Sequence, residues 1–303
     1  MNWWRKRIGL ALGGGGARGL THIGVLKVFE QEGIPIHVIA GTSIGSLVGG
    51  AYAGGMSPEE IQKKFQAYIG SSEFQSSAIH AISSSYGEEG GSLTQKIQSF
   101  LTNQFYLIQM LLKPGILSAN DFRSMIDFFI PDIKIEDTQI PFRAVATDLV
   151  SGEKIVFSKG SLRQAIMASC AVPGAIEPLK AKDQLLADGG IISLIPVRVA
   201  REAGANIVIA VSVDRDLHLD EELKTAKDVY TRATEIMADK LEKYELMEAD
   251  VVIRPDVKNL HWSNFSQAID LIDGGEKAAR ENLAKIRSAM SLFKRFLIKK
   301  RYA

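Results

Sequence analysis

The sequence predicts an α/β protein whose mostly parallel sheet is covered by helices. Apolar runs at residues 7–12 and 36–40 are typical of buried strands, and each precedes a segment with helical spacing, 18–32 and 44–53. This order of strand, helix, strand and helix predicts parallel strands joined by helices that cover the sheet. The length agrees, because 303 residues can bury a full core.

The rest of the chain continues the alternation less regularly. A hairpin is predicted around Ser151-Gly152, with strands at 142–147 and 153–157. Further helices are predicted at 161–169, 196–203 and 275–300, and further strands at 184–187, 206–213 and 251–254. We expect a core over residues 8–202, and a C-terminal extension over 203–303 that completes the sheet and ends in a basic amphipathic helix.

Composition argues against several classes of function. Apolar residues make up 46% and charged residues 23%, as in ordinary globular proteins. The net charge of +1 gives no electrostatic reason to expect a nucleic acid partner. The single cysteine, Cys170, excludes an intramolecular disulfide and a multi-cysteine metal site, and we interpret it as a core residue.

The expected location is the cytoplasm. Residues 34–56 are apolar, but polar residues and glycines interrupt them, so no membrane span is predicted there. The first residues lack the pattern of a secretory signal peptide. Peripheral contact with the inner face of the membrane is compatible with this pattern.

A candidate nucleophile lies between the second predicted strand and its helix. Gly41-Thr42-Ser43-Ile44-Gly45 matches G-x-S-x-G, and a nucleophile elbow requires this strand-to-helix context. The glycines Gly41 and Gly45 allow close packing while the serine hydroxyl is turned outward. We predict that Ser43 is a nucleophile, against the alternative of an ordinary small-residue turn.

A glycine-rich loop follows the first strand. Gly14, Gly15 and Gly16 present backbone N–H groups that could bind the oxyanion of an acyl-transfer reaction. Arg18 follows the loop, and we favour a role in bracing it over attraction of a phosphate. The loop also matches a dinucleotide fingerprint, but no acid ends the second strand and no P-loop lysine is present, so nucleotide binding is not expected.

The serine needs a base. A histidine triad in the order of α/β-hydrolases would use His218 or His261, but the elbow then comes unusually early in the chain. Asp188 follows an apolar strand and precedes Gly189 and Gly190, so its carboxylate is expected at a strand end. An aspartate before glycines is also a common turn residue.

Several motifs together resemble the patatin-like phospholipases. They are Leu10–Gly19, His22-Ile23-Gly24, Gly41–Gly45, Ala168–Gly174 and Asp188-Gly189-Gly190, in that order. The resemblance implies a three-layer α/β/α fold, with residues 8–202 as its catalytic core. It also implies a dyad of Ser43 and Asp188, an oxyanion hole from the Gly14–Gly16 amides and a lipid ester substrate, without a metal or cofactor. Supporting roles fall to Arg18, Gly19, Gly41, Gly45, Gly189 and Gly190.

Two regions are candidates for lipid contact. Segment 71–117 is interpreted either as a mobile cover of the acyl pocket or as a core helix. In the tail, Ile286, Met290, Phe293 and Leu297 form an apolar stripe among basic residues, typical of a helix on an anionic membrane. The alternative is a helix docked on the core.

The leading hypothesis is a lipid acyl hydrolase. A broad esterase, thioesterase or acyltransferase would use the same dyad. A non-catalytic lipid-binding protein on the same fold is the alternative from another class, and the presence of both Ser43 and Asp188 argues against it.

Overall fold

The computed structural model describes residues 6–75, 115–214, 217, 223–258, 260, 264–265 and 267–291. Its strands are β1 (Ile8–Leu12), β2 (Val38–Thr42), β3 (Gly115–Leu117), β4 (Phe142–Asp148), β5 (Lys154–Phe157), β6 (Gly174–Ile176), β7 (Leu179–Ala181), β8 (Gln184–Asp188), β9 (Ile207–Val211) and β10 (Val251–Ile253). Its α-helices are α1 (Thr21–Gln31), α2 (Ile44–Ala53), α3 (Pro58–Ile69), α4 (Ser72–Gln75), α5 (Ala119–Phe129), α6 (Leu162–Ser169), α7 (Val197–Glu202), α8 (Ala226–Leu246) and α9 (Ala268–Met290). Short 3₁₀ turns occupy Gly16–Leu20, Ile135–Asp137 and Gly189–Ile191.

The main sheet is mostly parallel, as predicted. Strand β1 lies between β9 and β2, with β10 beyond β9 and β4 beyond β2, and all these pairs are parallel. The antiparallel strands β5, β7 and β8 lie at the β4 end. The predicted hairpin is confirmed as β4 and β5. Strands β9 and β10, which follow residue 202, are part of this sheet.

Two hydrophobic layers cover the two faces of the sheet. Alternate residues of β1 separate them: Leu10 packs in the layer that contains α1, α2, α6 and α9, and Ala11 in the layer that contains α7. The residues of β1, β2 and β9 are buried on both faces of the sheet because helices cover each face. The fold is therefore a three-layer α/β/α arrangement.

Strand β4 joins two strand ends that are far apart in the sequence. Its residues 144–147 pair with β5 along one edge. Along the other edge it pairs first with β2 and then with β8, so that Thr42 lies opposite Val145 and Asp188 opposite Ala146. Strands β2 and β8 run in opposite directions along this edge, and their ends therefore meet one residue step apart, about 3.3 Å.

The last described helix docks on the first. A Cβ on Gly24 of α1 would lie 2.0 Å from the carbonyl oxygen of Ile272, and a Cβ on Gly275 of α9 would lie 2.0 Å from that of Thr21. Only glycine therefore allows the two helix backbones this approach. Ile286 is buried in the core, so it is not available to a bilayer. Phe293 and Leu297 of the predicted stripe lie outside the described residues.

Other expectations differ in extent. The predicted first helix begins as the 3₁₀ turn Gly16–Leu20 before α1, and the sequence patterns predict neither α5 nor α8. Most of the predicted cover, residues 76–114, lies outside the described residues. Across the ranges described, no helix is both long enough and apolar enough to span a membrane.

Candidate active site

Ser43 lies at a strained turn between β2 and α2. Its φ of 53° and ψ of −128° are unusual for a residue with a side chain, and such a conformation costs on the order of 1–3 kcal/mol. The flanking glycines make the turn possible, because a Cβ on Gly41 would lie 2.5 Å from the Gly45 carbonyl oxygen. A Cβ on Gly45 would lie 2.2 Å from that of Leu12.

The backbone of Ser43 is fixed by hydrogen bonds on both sides. Its N–H donates to Ser169 Oγ at 3.0 Å, and its carbonyl accepts from Ser46 Oγ at 2.7 Å and from the Leu47 N–H at 3.1 Å. The residue is only 8% exposed. These contacts hold the main chain of the turn and leave the side-chain hydroxyl out of the supporting network.

Asp188 lies at the end of β8 and is equally fixed. Its N–H donates to the Ala171 carbonyl at 2.9 Å, and its carbonyl accepts from Thr147 Oγ1 at 3.0 Å. In the side chain, Oδ1 accepts from the Gly190 N–H at 2.7 Å. The other oxygen, Oδ2, is buried and has no hydrogen-bond partner among the described residues.

The side chains of Ser43 and Asp188 are neighbours. Burial raises the pKa of Asp188 from the usual 3.8 to about 6, and the Ser43 hydroxyl and Gly190 N–H oppose this rise. The hydroxyl is therefore close enough to affect the carboxyl pKa, although Asp188 Oδ2 has no hydrogen bond of standard geometry. The two side chains are therefore adjacent, without a hydrogen bond of standard geometry at Oδ2.

The glycine loop runs beside the serine. A Cβ on Gly14 would lie 3.4 Å from Ser43 Cβ. The Gly13 and Gly14 N–H groups donate to the carbonyls of Val211 and Leu194, at 3.1 and 3.0 Å. Within the described structure, no acceptor lies on the N–H groups of the next two glycines, Gly15 and Gly16. The Gly14 amide therefore already has an acceptor, whereas the Gly15 and Gly16 amides have none among the described residues.

Arg18 and His22, which follow the glycine loop in the chain, bind its carbonyl oxygens. Arg18 Nε donates to the Gly15 carbonyl at 3.2 Å, and Nη1 pairs with Asp214 at 2.6 Å. His22 Nε2 lies 2.8 Å from the Gly13 carbonyl oxygen, and burial lowers the pKa of His22 to about 4. The imidazole is therefore neutral near pH 7, and Nε2 must carry the proton because a carbonyl only accepts. This geometry agrees with bracing by Arg18.

The remaining motif glycines are sites of close approach. A Cβ on Gly19 would lie 2.2 Å from Ile44 Cγ2, and one on Gly189 would lie 2.3 Å from the Val145 carbonyl oxygen. Gly190 contributes its N–H to Asp188. His218 and His261, the alternative bases, lie outside the described residues.

Sequence reasoning did not assign roles to several residues that hold the site. Ser169, which accepts from the Ser43 N–H, falls inside the motif Ala168–Gly174, so its position was the available signal. Thr42 Oγ1 donates to the Ser193 carbonyl at 2.9 Å, and no pattern marks Ser193. Within the described ranges, no three His, Cys, Asp or Glu side chains are grouped closely enough to hold a metal ion.

The fold and the neighbouring side chains define a class: α/β proteins with a serine at a strand–helix turn beside a buried carboxylate. A family model for patatin-like phospholipases matches residues 10–201, which is more than half of the chain. The chain therefore belongs to the patatin-like phospholipase family.

Relatives from bacteria and animals share this region. An uncharacterized NTE family protein of Mycobacterium tuberculosis is 35% identical over 213 residues, or 69% of this chain and 49% of the relative. Patatin-like phospholipase domain-containing protein 6 of Homo sapiens is 34% identical over 208 residues, or 68% of this chain and 13% of that protein. The chain thus spans about half of the mycobacterial relative and far less of the human one.

Solved structures also match most of the chain, at TM-scores below 0.5. VipD from Legionella pneumophila matches with a TM-score of 0.45 and 13% identity, over 94% of this chain and 67% of that one. Human GIVD cytosolic phospholipase A2 matches with a TM-score of 0.43 and 11% identity, over 94% of this chain and 59% of that one.

Proposed function

We propose that this protein is a serine lipid acyl hydrolase that cleaves carboxylic esters of phospholipids or related lipids. One observation carries the proposal: the Ser43 hydroxyl lies beside the buried carboxyl group of Asp188, whose Oδ2 has no hydrogen-bond partner among the described residues. The Gly15 and Gly16 amides have no acceptor among the described residues. They follow Gly14, where a Cβ would lie 3.4 Å from Ser43 Cβ. Family membership supports the lipid substrate class.

The first step is attack on the ester. Ser43 Oγ forms a bond to the acyl carbon while its proton moves to Asp188 Oδ2. The carbonyl oxygen becomes an oxyanion, and the Gly15 and Gly16 N–H groups are the donors available to stabilise it. The C–O bond to the alcohol then breaks, and the proton on Asp188 goes to the leaving oxygen. This leaves an acyl-enzyme on Ser43.

Water completes the cycle by the same route. It attacks the acyl carbon and gives a proton to Asp188, and the proton returns to Ser43 Oγ when the fatty acid leaves. A pKa of about 6 suits this role, because a base is most effective when its pKa is near the working pH. Oδ1 already accepts from the Gly190 N–H, which leaves Oδ2 as the oxygen available to take the Ser43 proton.

The test compares Ser43→Ala, Asp188→Asn, His22→Ala and the wild type on a soluble short-chain ester and on phospholipid vesicles. The first two variants are expected to lose at least about 1,000-fold in kcat. His22→Ala retains Asp188 as the base, so its activity should not be abolished. Asp183→Asn is the matched control, because Asp183 is an exposed carboxylate in the turn before β8.

Labelling with a fluorophosphonate separates catalysis from lipid binding alone. The wild type is expected to form one covalent adduct, at Ser43, and Ser43→Ala none. An active Asp188→Asn with an inactive His218→Ala or His261→Ala would replace the dyad with a histidine triad. A wild type that neither hydrolyses esters nor reacts with the phosphonate would leave a lipid-binding protein as the better description.

A further inference from the structure

Helix α8 presents acidic side chains to the protein interior. Asp239 and Glu242 are 6% and 4% exposed, and Glu245 is half-buried. Its apolar Tyr230 and Met237 face outward, 72% and 70% exposed. A buried carboxylate is costly unless hydrogen bonds satisfy it, so the partners of these acids define what the helix does.

Glu245 holds the segment that follows the Asp188 turn. Its Oε1 accepts from Ser193 Oγ, and its Oε2 accepts from the Ile195 N–H at 2.7 Å. Between these two contacts, the Leu194 carbonyl accepts from the Gly14 N–H at 3.0 Å. The Ser193 carbonyl accepts from Thr42 Oγ1, next to the nucleophile. One carboxylate of α8 thus fixes a segment that contacts both the glycine loop and the elbow.

Glu242, about one turn earlier, holds a second segment. It accepts from Ser212 Oγ and pairs with Arg254 at 3.3 Å. The neighbours of Ser212 contact the other side of the glycine loop. The Val211 carbonyl accepts from the Gly13 N–H at 3.1 Å, and the Val213 side chain lies 2.6 Å from where a Cβ on Gly15 would be. The glycine loop therefore lies between two segments, 193–195 and 211–213, and side chains of α8 bind each of them.

We propose that α8 is a clamp for the oxyanion loop and that Glu242 and Glu245 are its positioning residues. Neither carboxylate touches the reacting atoms; each acts through a segment bonded to the glycine loop. The family match ends at residue 201, so this clamp comes from the C-terminal extension. The inference rests on the proposed function, since it concerns the same oxyanion hole.

The physical reason is the narrow tolerance of an oxyanion hole. Its donors stabilise the transition state only when held at hydrogen-bond distance from the oxyanion, and a misplacement of about 1 Å can cost about 100-fold in rate. The Gly15 and Gly16 amides have no acceptor of their own among the described residues to hold them. Their position therefore depends on the Arg18 contact to the Gly15 carbonyl and on Gly13 and Gly14, which the clamped segments bind.

The experiment measures kcat, KM and the fluorophosphonate labelling rate for Glu242→Gln, Glu245→Gln and the double variant. Glutamine keeps the shape but loses the charge and one of the two acceptor oxygens. In Glu245→Gln, either the Ile195 N–H loses its acceptor or the Ser193 hydroxyl must change from donor to acceptor. Each single variant is expected to lose about tenfold in kcat and in labelling rate, and the double variant more, with KM for a soluble ester unchanged. Asp239→Asn is the control, because Asp239 is a buried acid paired within α8, with Lys243.

Ser193→Ala keeps the test decisive if a glutamine variant does not fold. It removes the hydroxyl partner of Glu245 and leaves the carboxylate in place, and it is expected to lower kcat several-fold without changing KM. Combined with Glu245→Gln, the losses should be less than multiplicative because both changes alter the Ser193–Glu245 hydrogen bond. Wild-type kcat in the glutamine variants or in Ser193→Ala would overturn the clamp, and so would equal losses in Asp239→Asn. A wild type with no activity or labelling would instead refute the proposed function.

Discussion

The groups proposed to react and the groups that hold them differ in backbone strain and in hydrogen bonding. Ser43 has a backbone conformation that side chains rarely adopt, and Asp188 has a buried oxygen without a partner among the described residues. In contrast, Thr42 and Arg18 make well-formed contacts to Ser193 and Asp214. The strained backbone and the unpaired carboxylate oxygen thus belong to the two groups proposed to react, whereas the Thr42 and Arg18 side chains beside them are paired.

This difference indicates where the fold tolerates unfavourable energy. Strained or desolvated groups persist only where the surrounding structure over-determines them. Ser43 is held through its N–H and carbonyl, and Asp188 through its N–H, its carbonyl and Oδ1. Substitutions in the residues that hold Ser43 and Asp188, which we call the frame, should therefore lower stability and activity together. A substitution in a reacting group should lower activity without lowering stability.

Gly45→Ala is the most severe change to the frame. Its Cβ would lie 2.2 Å from the Leu12 carbonyl oxygen, so α2 must move away from β1. We expect loss of several kcal/mol in the free energy of unfolding and at least about 100-fold in kcat. Urea denaturation and ester hydrolysis measure the two effects.

Gly33→Ala is the control for the glycine itself. Gly33 has a φ of +62°, and no atom lies within 4 Å of where its Cβ would be. This variant should cost only about 1 kcal/mol, for the left-handed backbone, and leave kcat unchanged. Equal effects at positions 33 and 45 would mean that close packing does not set the elbow.

Asp188→Asn tests the opposite behaviour, a gain in stability with loss of activity. The rise in the pKa of Asp188 from 3.8 to about 6 means that the folded state disfavours the charged carboxylate. The stability that the neutral Asp188 carboxyl contributes is fully present below about pH 3.8, and it is lost as the pH rises through about 6. At pH 8 the burial of this charge costs on the order of 3 kcal/mol, which asparagine removes.

The measurement is the difference in unfolding free energy between Asp188→Asn and the wild type at pH 8 and at pH 4. The variant should be more stable at pH 8, by up to about 3 kcal/mol, and nearly equal at pH 4. A difference that does not grow with pH would show that Asp188 is not desolvated in the folded protein.

The sequence predicted the parts of the site that depend on local structure. The strand–turn–helix order and glycine spacing are enough to place Ser43 at an elbow and the glycine loop at a strand end. The meeting of Ser43 with Asp188 depends on β4, where Thr42 lies opposite Val145 and Asp188 opposite Ala146. That long-range register is not encoded by any local pattern. The residues offered Asp188 as a candidate base at a strand end, and the family resemblance implied its pairing with Ser43.

Helix α8 was missed for a different physical reason. Hydrophobic periodicity predicts a helix whose apolar side faces the core, but here Tyr230 and Met237 face outward, and Glu242 faces inward. A carboxylate in a sequence is ordinarily assigned to the solvated surface. Its burial becomes predictable only once Ser212 and Arg254 are known to lie beside it.

Ser169→Ala is the smallest of these tests and applies the comparison at one hydrogen bond. Ser169 Oγ accepts from the Ser43 N–H at 3.0 Å, so alanine leaves a buried amide unsatisfied, at a cost of about 1–3 kcal/mol. Because this bond holds the strained turn, we expect kcat to fall about tenfold while KM is unchanged. Ser169→Thr keeps the hydroxyl and should restore most of kcat, which a loss of packing alone would not explain. Full activity in Ser169→Ala would show that the hydrogen bond from the Ser43 N–H is not needed to hold the elbow.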